Sequence, residues 1–579
     1  MRLAHYLDRI IPDLSAAILR FPVPALYAIL LGLYLNITGS GGLSDETVSL
    51  AAAAGFLASG AGHLFAEGRT LPRSSNILIA LGAGLAAMLV AYGAVIFQTS
   101  QLLLFSGLVL GVMIAGFLHE GAGQGALWLF NLRFGLAALL AMVVAVVFGL
   151  GLSAIVEALN LLFDAGLASD LHEHIWVTAA ALVGPLFGLT LIPKTLRETI
   201  VIADEKGTLL ERGISVMVNY VLVPIILVYA AILHAYAVKI AAAWSLPKGQ
   251  IGLMVTIYAL GGTGAWLVAW PWRDSGTRLL RWFMGGWFWL TIVPAVLLAV
   301  AIWRRVSDYG VTPERYMIML TAVWIAGLTV YLALRRNRAD MRLILGGLAV
   351  LLLLGSVGPF GANGLTTSTQ LRRLAVLLEE RGVLRDGAYV TPPKPLDAGA
   401  KTEGYSILYA LQESGGLGRL RPWFEGSARD PFALSSDGWT LFNNLSDALG
   451  FSASTIMPDQ VNYLANAPTD IAVPAGARLI GPLELVIYPA TAPRPAAEAR
   501  IEGADLVVTA ANRQWRVPVA EFLTSVKNAL APPGQPQPPV VYIVGPDLQI
   551  AIENIYGTLG ESPALTSARL WLIVSDTQG

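Results

Sequence analysis

The chain has 579 residues, 55% of them hydrophobic and only 13% charged, with a net charge of -1 and no cysteine. Soluble domains carry about a quarter charged residues, so this balance excludes an ordinary soluble fold, and it leaves no electrostatic footprint for nucleic acid. Without thiols there are no disulfides, no thiolate metal ligands and no cysteine nucleophile.

Residues 1–20 carry scattered charges among apolar residues and read as an amphipathic segment on the cytoplasmic membrane surface. The first apolar run ends in Asn36 and Gly39 to Gly42 with no small-x-small cleavage site, so no cleavable signal peptide is expected. Backbone amides must be satisfied internally in lipid, so long apolar runs are read as helices. Eleven spans are expected, at 21–37, 48–66, 77–97, 102–118, 134–158, 175–192, 214–238, 251–270, 282–302, 316–334 and 343–360. Most match a hydrocarbon core of ~30 Å. The last is short and ends in Gly355, Gly358 and Pro359.

Lys and Arg placement gives an orientation. With the N-terminus in the cytoplasm, seventeen of these residues fall inside and five outside, the five being Lys239, Lys248, Arg304, Arg305 and Arg315. Translocating positive loops is disfavoured. The expected location is a bacterial inner membrane, with 21–360 as the transmembrane helical domain and 361–579 as a periplasmic or extracellular domain.

Beyond residue 361 charge rises and long apolar runs stop. Residues 366–380 read as an amphipathic helix with Leu371, Leu374, Leu377 and Leu378 on one face. This stripe is expected to lie on the outer face of the bundle, with burial against strands of the tail as the competing reading. Helices near 403–412 and 439–449 precede strand signals at 479–488, 504–509, 515–519, 540–544 and 570–574, with a hairpin turn at 511–513. Proline clusters at 392–395 and 532–539 read as loops. The fold class expected is an all-α polytopic membrane bundle followed by a small α+β domain.

Three segments resemble the "domain of unknown function 4153" family of bacterial inner-membrane proteins. The first is Tyr220 to Pro224, continuing through Val228, Tyr229, Ile232, Leu233, Tyr236, Lys239 and the Leu246 to Gly249 exit. The second is Arg305 to Tyr316. The third is Gly358, Pro359 and Phe360 with Ser368 to Gln370, Leu374, Leu377 and Leu378. In the family an aromatic Trp and a Ser-x-x-Ser-Gln are more frequent there, so Phe360 and Thr366 to Gln370 are variants. Arg20, Phe21 and Pro22 fit as well. The resemblance implies a multi-spanning inner-membrane fold and brings no assigned activity.

Candidate ligand-binding residues follow from polar groups in apolar surroundings. Tyr229 and Tyr236 are seven apart and share nearly one helix face. His234 is the one histidine expected deep in a span, and Lys239 sits near its outer end. An interfacial aromatic belt with a snorkelling lysine explains the group without a ligand, whereas an intramembrane site would make it functional. Arg304, Arg305 and Arg315 cluster beside a helix start in which Thr312 is the N-cap and Pro313 the first residue. Such guanidiniums suit an anionic lipid phosphate.

The remaining signals have plain explanations. His172, Glu173 and His174 are expected in a solvated outer loop with too few ligands for a metal. His63 with Glu67, and His119 with Glu120, fall at inner helix ends where water reaches. Gly55, Ser59, Gly60, Gly62, Gly107 and Gly111 suit close helix packing. Asp45 and Glu46 occupy the first outer loop, where lipid-linked glycosyltransferases place acidic residues; an N-cap explains them equally. All six histidines precede residue 235, so the tail alone holds no His-dependent triad or zinc site. No cofactor, metal or catalytic residue is assigned. The partners expected are membrane lipids, an anionic lipid or an envelope substrate among them. The leading reading is a protein that transports or handles an envelope or lipid-linked substrate. A scaffold or sensor with an external binding domain and an embedded transferase are the alternatives.

Overall fold

The computed structural model describes residues 13–38, 43–93, 98–119, 121–168, 170–198, 209–243, 251–335, 338–390, 396–426, 430–432, 438–451, 460–464, 473–474, 477–485, 497–510, 513–530, 540–559 and 563–575. Lys206, Lys248, Glu120, the Asp45 side chain, the turn at 511–512 and both proline clusters lie outside them. The chain divides into two compact units, Met1–Thr369 with Glu413–Gly415, and Gln370–Gln412 with Gly416–Gly579.

In the first unit a short helix α1 (Asp13–Arg20) meets α2 (Pro22–Thr38) at a bend of 107°. The residue before a proline is pushed out of helical conformation, and proline is well placed at a first helical position, which is why the chain breaks at Phe21. There follow α3 (Leu43–Gly68), α4 (Arg73–Gly93), α5 (Gln98–Ala115), α6 (Gln124–Phe163), α7 (Asp170–Thr178), α8 (Gly184–Leu191), α9 (Leu209–Met217) and α10 (Val223–Ala243). Then come α11 (Ile251–Ala269), α12 (Arg278–Tyr309), α13 (Pro313–Arg335) and α14 (Met341–Ser356). One π-helical turn, Ala179–Val183, joins α7 to α8, and another, Val218–Leu222, joins α9 to α10.

Among the described residues nine helices are long and apolar enough to cross a membrane, or ten if the bent α1–α2 pair is one span. The sixteen-residue α14 falls below that length, at about 24 Å for a rise of 1.5 Å per residue. The forty residues of α6 run about 60 Å, twice the thickness of a hydrocarbon core.

The helices alternate in direction, and hydrogen bonds draw one set of their ends together. Arg69 reaches Leu118 O (2.9 Å), Arg342 reaches Phe117 O and His119 O (3.1 Å each), and Met341 N reaches Gln124 Oε1 (3.2 Å). The core between the helices is aromatic: Phe21, Phe117, Phe283, Trp287 and Tyr258 are almost fully buried. Large apolar side chains on the outer faces, such as Leu33, Leu89, Val147 and Leu253, are exposed, as a lipid-facing surface requires.

The helix α15 (Ala362–Glu380) runs across the division between the units. In the second unit its latter half packs with α16 (Ala398–Glu413), a 3-10 stretch at Leu417–Phe424 and α17 (Gly438–Ala448). The expectation that the leucine stripe covers the bundle is corrected here. Leu374, Leu377 and Leu378 are buried among Ile407, Leu408, Leu411, Leu420 and Phe442, with Leu371 at the margin. Helices, not strands, supply that apolar wall, because α16 and α17 each turn a face of leucines and aromatics inward. Changing Leu374 and Leu378 together to serine is therefore expected to open the helical part of this unit, since burying a leucine contributes about 2–5 kcal/mol against alanine. Limited proteolysis within 396–426 should accelerate several-fold while the first unit stays monodisperse. Unaltered cleavage would contradict the packing.

A short ribbon of β1 (Leu384–Arg385) and β2 (Ala388–Tyr389) follows α15. The sheets come later: β3 (Gln460–Leu464), β9 (Leu548–Thr558), β10 (Ala564–Ser575) and β4 (Ala477–Glu484) pair in that order, and β8 (Val540–Ile543) also pairs with β9. A second sheet orders β5 (Glu498–Glu502), β6 (Asp505–Ala510) and β7 (Arg513–Pro518). All pairs are antiparallel. The helix α18 (Val519–Ala529) buries Phe522, Leu523 and Val526 against the strands.

Candidate functional site

At the gathered helix ends lies an open cleft of 1470 Å³. Its wall starts with Arg20, whose guanidinium forks onto Glu67: Nε to Oε1 is 2.9 Å and Nη2 to Oε2 is 2.8 Å. Arg20 also donates to the carbonyls of Ile192 (3.2 Å) and Pro193 (2.9 Å), where α8 ends. One side chain thus ties α1, α3 and the segment after α8. The bend at Phe21 makes this possible, by laying α1 across the start of α2.

One turn before Glu67, His63 is almost fully buried. Its Nδ1 lies 2.5 Å from Asn76 Oδ1 and the Phe21 ring meets it edge-on at 5.8 Å. With the amide so oriented, Nδ1 carries the proton, and the buried Nε2 has no partner among the described residues. Arg69, His119, Lys194, Arg197 and Glu198 complete the polar rim. Glu198 is paired with Arg133, whose hydrogen bond and charge hold its carboxyl below the usual range. Asp340 caps α14, and burial would raise its pKa, but the hydrogen bonds and charge of Arg342 bring it below normal.

Beside the cleft runs an apolar groove of 470 Å³, within the roughly 300–1,000 Å³ of typical ligand pockets. Leu64 and Ile192 line the groove; within one turn, Glu67 and Lys194 line the cleft. Ala137, Ala138, Ala141 and Ala145 form one wall, and Ala180, Gly184 and Gly188 the other. A Cβ on Gly184 or Gly188 would stand 3.2 or 3.3 Å from Ala145 or Ala141, so the helices approach closely where the side chains are smallest. The π turn at Ala179–Val183 adds a residue to that second wall, a feature common at functional sites.

The sequence-derived candidates fall elsewhere. Tyr229 donates to Met254 O (3.3 Å) and its ring lies 6.0 Å from Tyr258, which donates to Leu290 O. Tyr236 packs against the same core, His234 bonds Ala230 O one turn back on its own helix (2.7 Å), and Lys239 is exposed. Arg304 and Arg305 have no hydrogen bond or ion pair among the described residues. Arg315 turns back to Tyr309 O and Gly310 O (3.0 Å each), closing the end of α12. Thr312 accepts from Arg315 N and Pro313 opens α13, as a cap requires.

His172 and His174 are in α7, not in a loop, because Asp170 and Glu173 favour a helix start. They serve separate partners, Glu157 (3.1 Å) and Asn36 (3.1 Å). Among the described residues no group of three or more metal-ligating side chains occurs. Glu46 is exposed on α3.

The profile of the family described as Domain of unknown function (DUF4153) matches residues 25–375, more than half of the chain. The chain belongs to that family. The DUF4153 region thus holds all of the groove lining but Pro24, most of the cleft and all eleven expected spans but the start of the first. An uncharacterized protein of Pasteurella multocida is 28% identical over 179 residues, 30% of this chain and 29% of that protein. The chain therefore spans under a third of the length of that curated relative. No solved structure matches. This DUF4153 protein is a multi-spanning membrane protein.

Proposed function

We propose that the bundle handles a lipid-linked or other amphiphilic envelope substrate, with its chain in the groove and its polar end in the cleft. The adjacency of the two supports this reading most, since an apolar slot open on its side and ending at a charged mouth suits a molecule with both characters. The arginine bias favours a cytoplasmic position for this end, and an odd number of spans would then carry the second unit to the periplasm, where it would serve binding or assembly. The aromatic packing around Tyr258 and Trp287 favours a second role, a rigid scaffold, for α10 to α13.

A photoactivatable acyl lipid added to the full-length protein in membranes should label peptides from 134–146 and 176–192 at least five-fold above other exposed spans, and Ala138→Trp with Ala180→Trp should abolish the excess. Both alanines are exposed to the groove, so the indoles fill space without a backbone clash. Labelling spread evenly over all spans would sink the proposal.

A further inference from the structure

We infer that the polar end of this substrate is a phosphate with no compensating ammonium group, held by Arg69, Lys194 and Arg197. The inference rests on the reading that the groove holds an acyl chain. It starts from which charges in the cleft remain uncommitted. Among the described residues both carboxylates on the rim are already taken, Glu67 by the fork of Arg20 and Glu198 by Arg133. Arg69 has one Nη on Leu118 O, its guanidinium lies 4.5 Å from the Phe65 ring centre, and it has no carboxylate partner among the described residues. Among the described residues Lys194 has only a 3.8 Å contact with the exposed Asp13. Arg197 is exposed and has no partner among the described residues.

Positive residues gather at a cytoplasmic end for topological reasons alone. That bias accounts for their number but not for their place on the rim of one open cleft, within a turn or two of where the groove ends. Two guanidiniums and an ammonium match phosphate oxygens, the arginines by their forked donors. A zwitterionic head would bring an ammonium needing a free carboxylate, and neither Glu67 nor Glu198 is free. A net anionic phospholipid head is therefore favoured over a choline-type head.

The experiment uses the full-length protein in neutral detergent, with bound lipid counted by native mass spectrometry. Phosphatidylglycerol and phosphatidylcholine with identical chains are compared, and inorganic phosphate is tried as a competitor. The wild type should retain phosphatidylglycerol about ten-fold better. Changing Arg69, Lys194 and Arg197 together to glutamine should bring the two lipids level while phosphatidylcholine retention stays as it was. Ala138→Trp should weaken both lipids alike. Equal retention by the wild type, or a preference that survives the triple change, would overturn the head-group assignment and leave the groove standing. Both lipids bound undiminished by Ala138→Trp would instead overturn the groove. Displacement of phosphatidylglycerol by millimolar inorganic phosphate would make the ligand a soluble phosphate and overturn the lipid source.

Discussion

Gly68→Ala should be the most damaging single methyl addition near the cleft. A Cβ there would lie 2.1 Å from Gly116 O and 2.8 Å from Gly116 C, both backbone atoms. Nothing flexible stands in the way to be pushed aside. Nor can the 116–118 backbone retreat easily, since Arg69 holds Leu118 O and Arg342 holds Phe117 O. Overpacking costs about 1–3 kcal/mol where side chains can shift, so at least about 3 kcal/mol is expected against rigid backbone. Thermal unfolding in detergent should fall by several degrees, and the monodisperse yield by half or more. Gly82→Ala is the control: its Cβ meets nothing within 4 Å, and helix propensity predicts a gain of about 0.5–1 kcal/mol. Equal melting of the two variants would refute the close approach.

Arg20→Ala should follow closely in effect. Arg20 and Glu67 are 21% and 24% exposed, so the pair is partly screened and stands at the low end of the roughly 3–5 kcal/mol lost when a buried pair is broken. The loss includes the two carbonyl bonds that fasten the segment bearing Lys194 and Arg197. Arg20→Lys should restore less than half, because an ammonium cannot fork onto Glu67 and reach Ile192 O and Pro193 O together. Glu67→Gln should be milder alone, and a double-mutant cycle should give a coupling above about 1 kcal/mol. A melting point for Arg20→Ala within a degree or two of the wild type would remove the clamp from consideration.

The spans were readable because an apolar run in lipid has few alternatives. Their exact number was not, since α14 and α2 fall near the length limit and the decision depends on tilt and membrane thickness. In the tail, α18 was missed although Val519, Phe522, Leu523 and Val526 carry helical spacing, because the strand signal before it ran on into Val519. The β9 strand was missed because Glu553 and Asn554 interrupt its apolar alternation.

The candidate site was less legible still. His63, Glu67 and Arg20 were each visible at helix ends, but 47 residues separate the two partners of the ion pair. Only the hairpin of two antiparallel spans brings them together. The groove left a fainter mark, small residues four apart in two different spans, which also suits plain helix contact. By contrast, Tyr229 drew attention as a polar group in a span, and its hydroxyl proves to be occupied by a backbone carbonyl.

The length of α6 gives the groove a mechanical partner. One uninterrupted rod carries the alanine wall from Ala137 to Ala145 near its middle and continues to the exposed Leu161, Leu162 and Phe163 at its far end. A stiff rod acts as a lever. If it pivots by roughly 10° about Arg133 to admit a bulkier chain, Phe163, about 45 Å further on, swings through about 8 Å. A small widening on one side of the bilayer would thereby be read out, amplified, on the other.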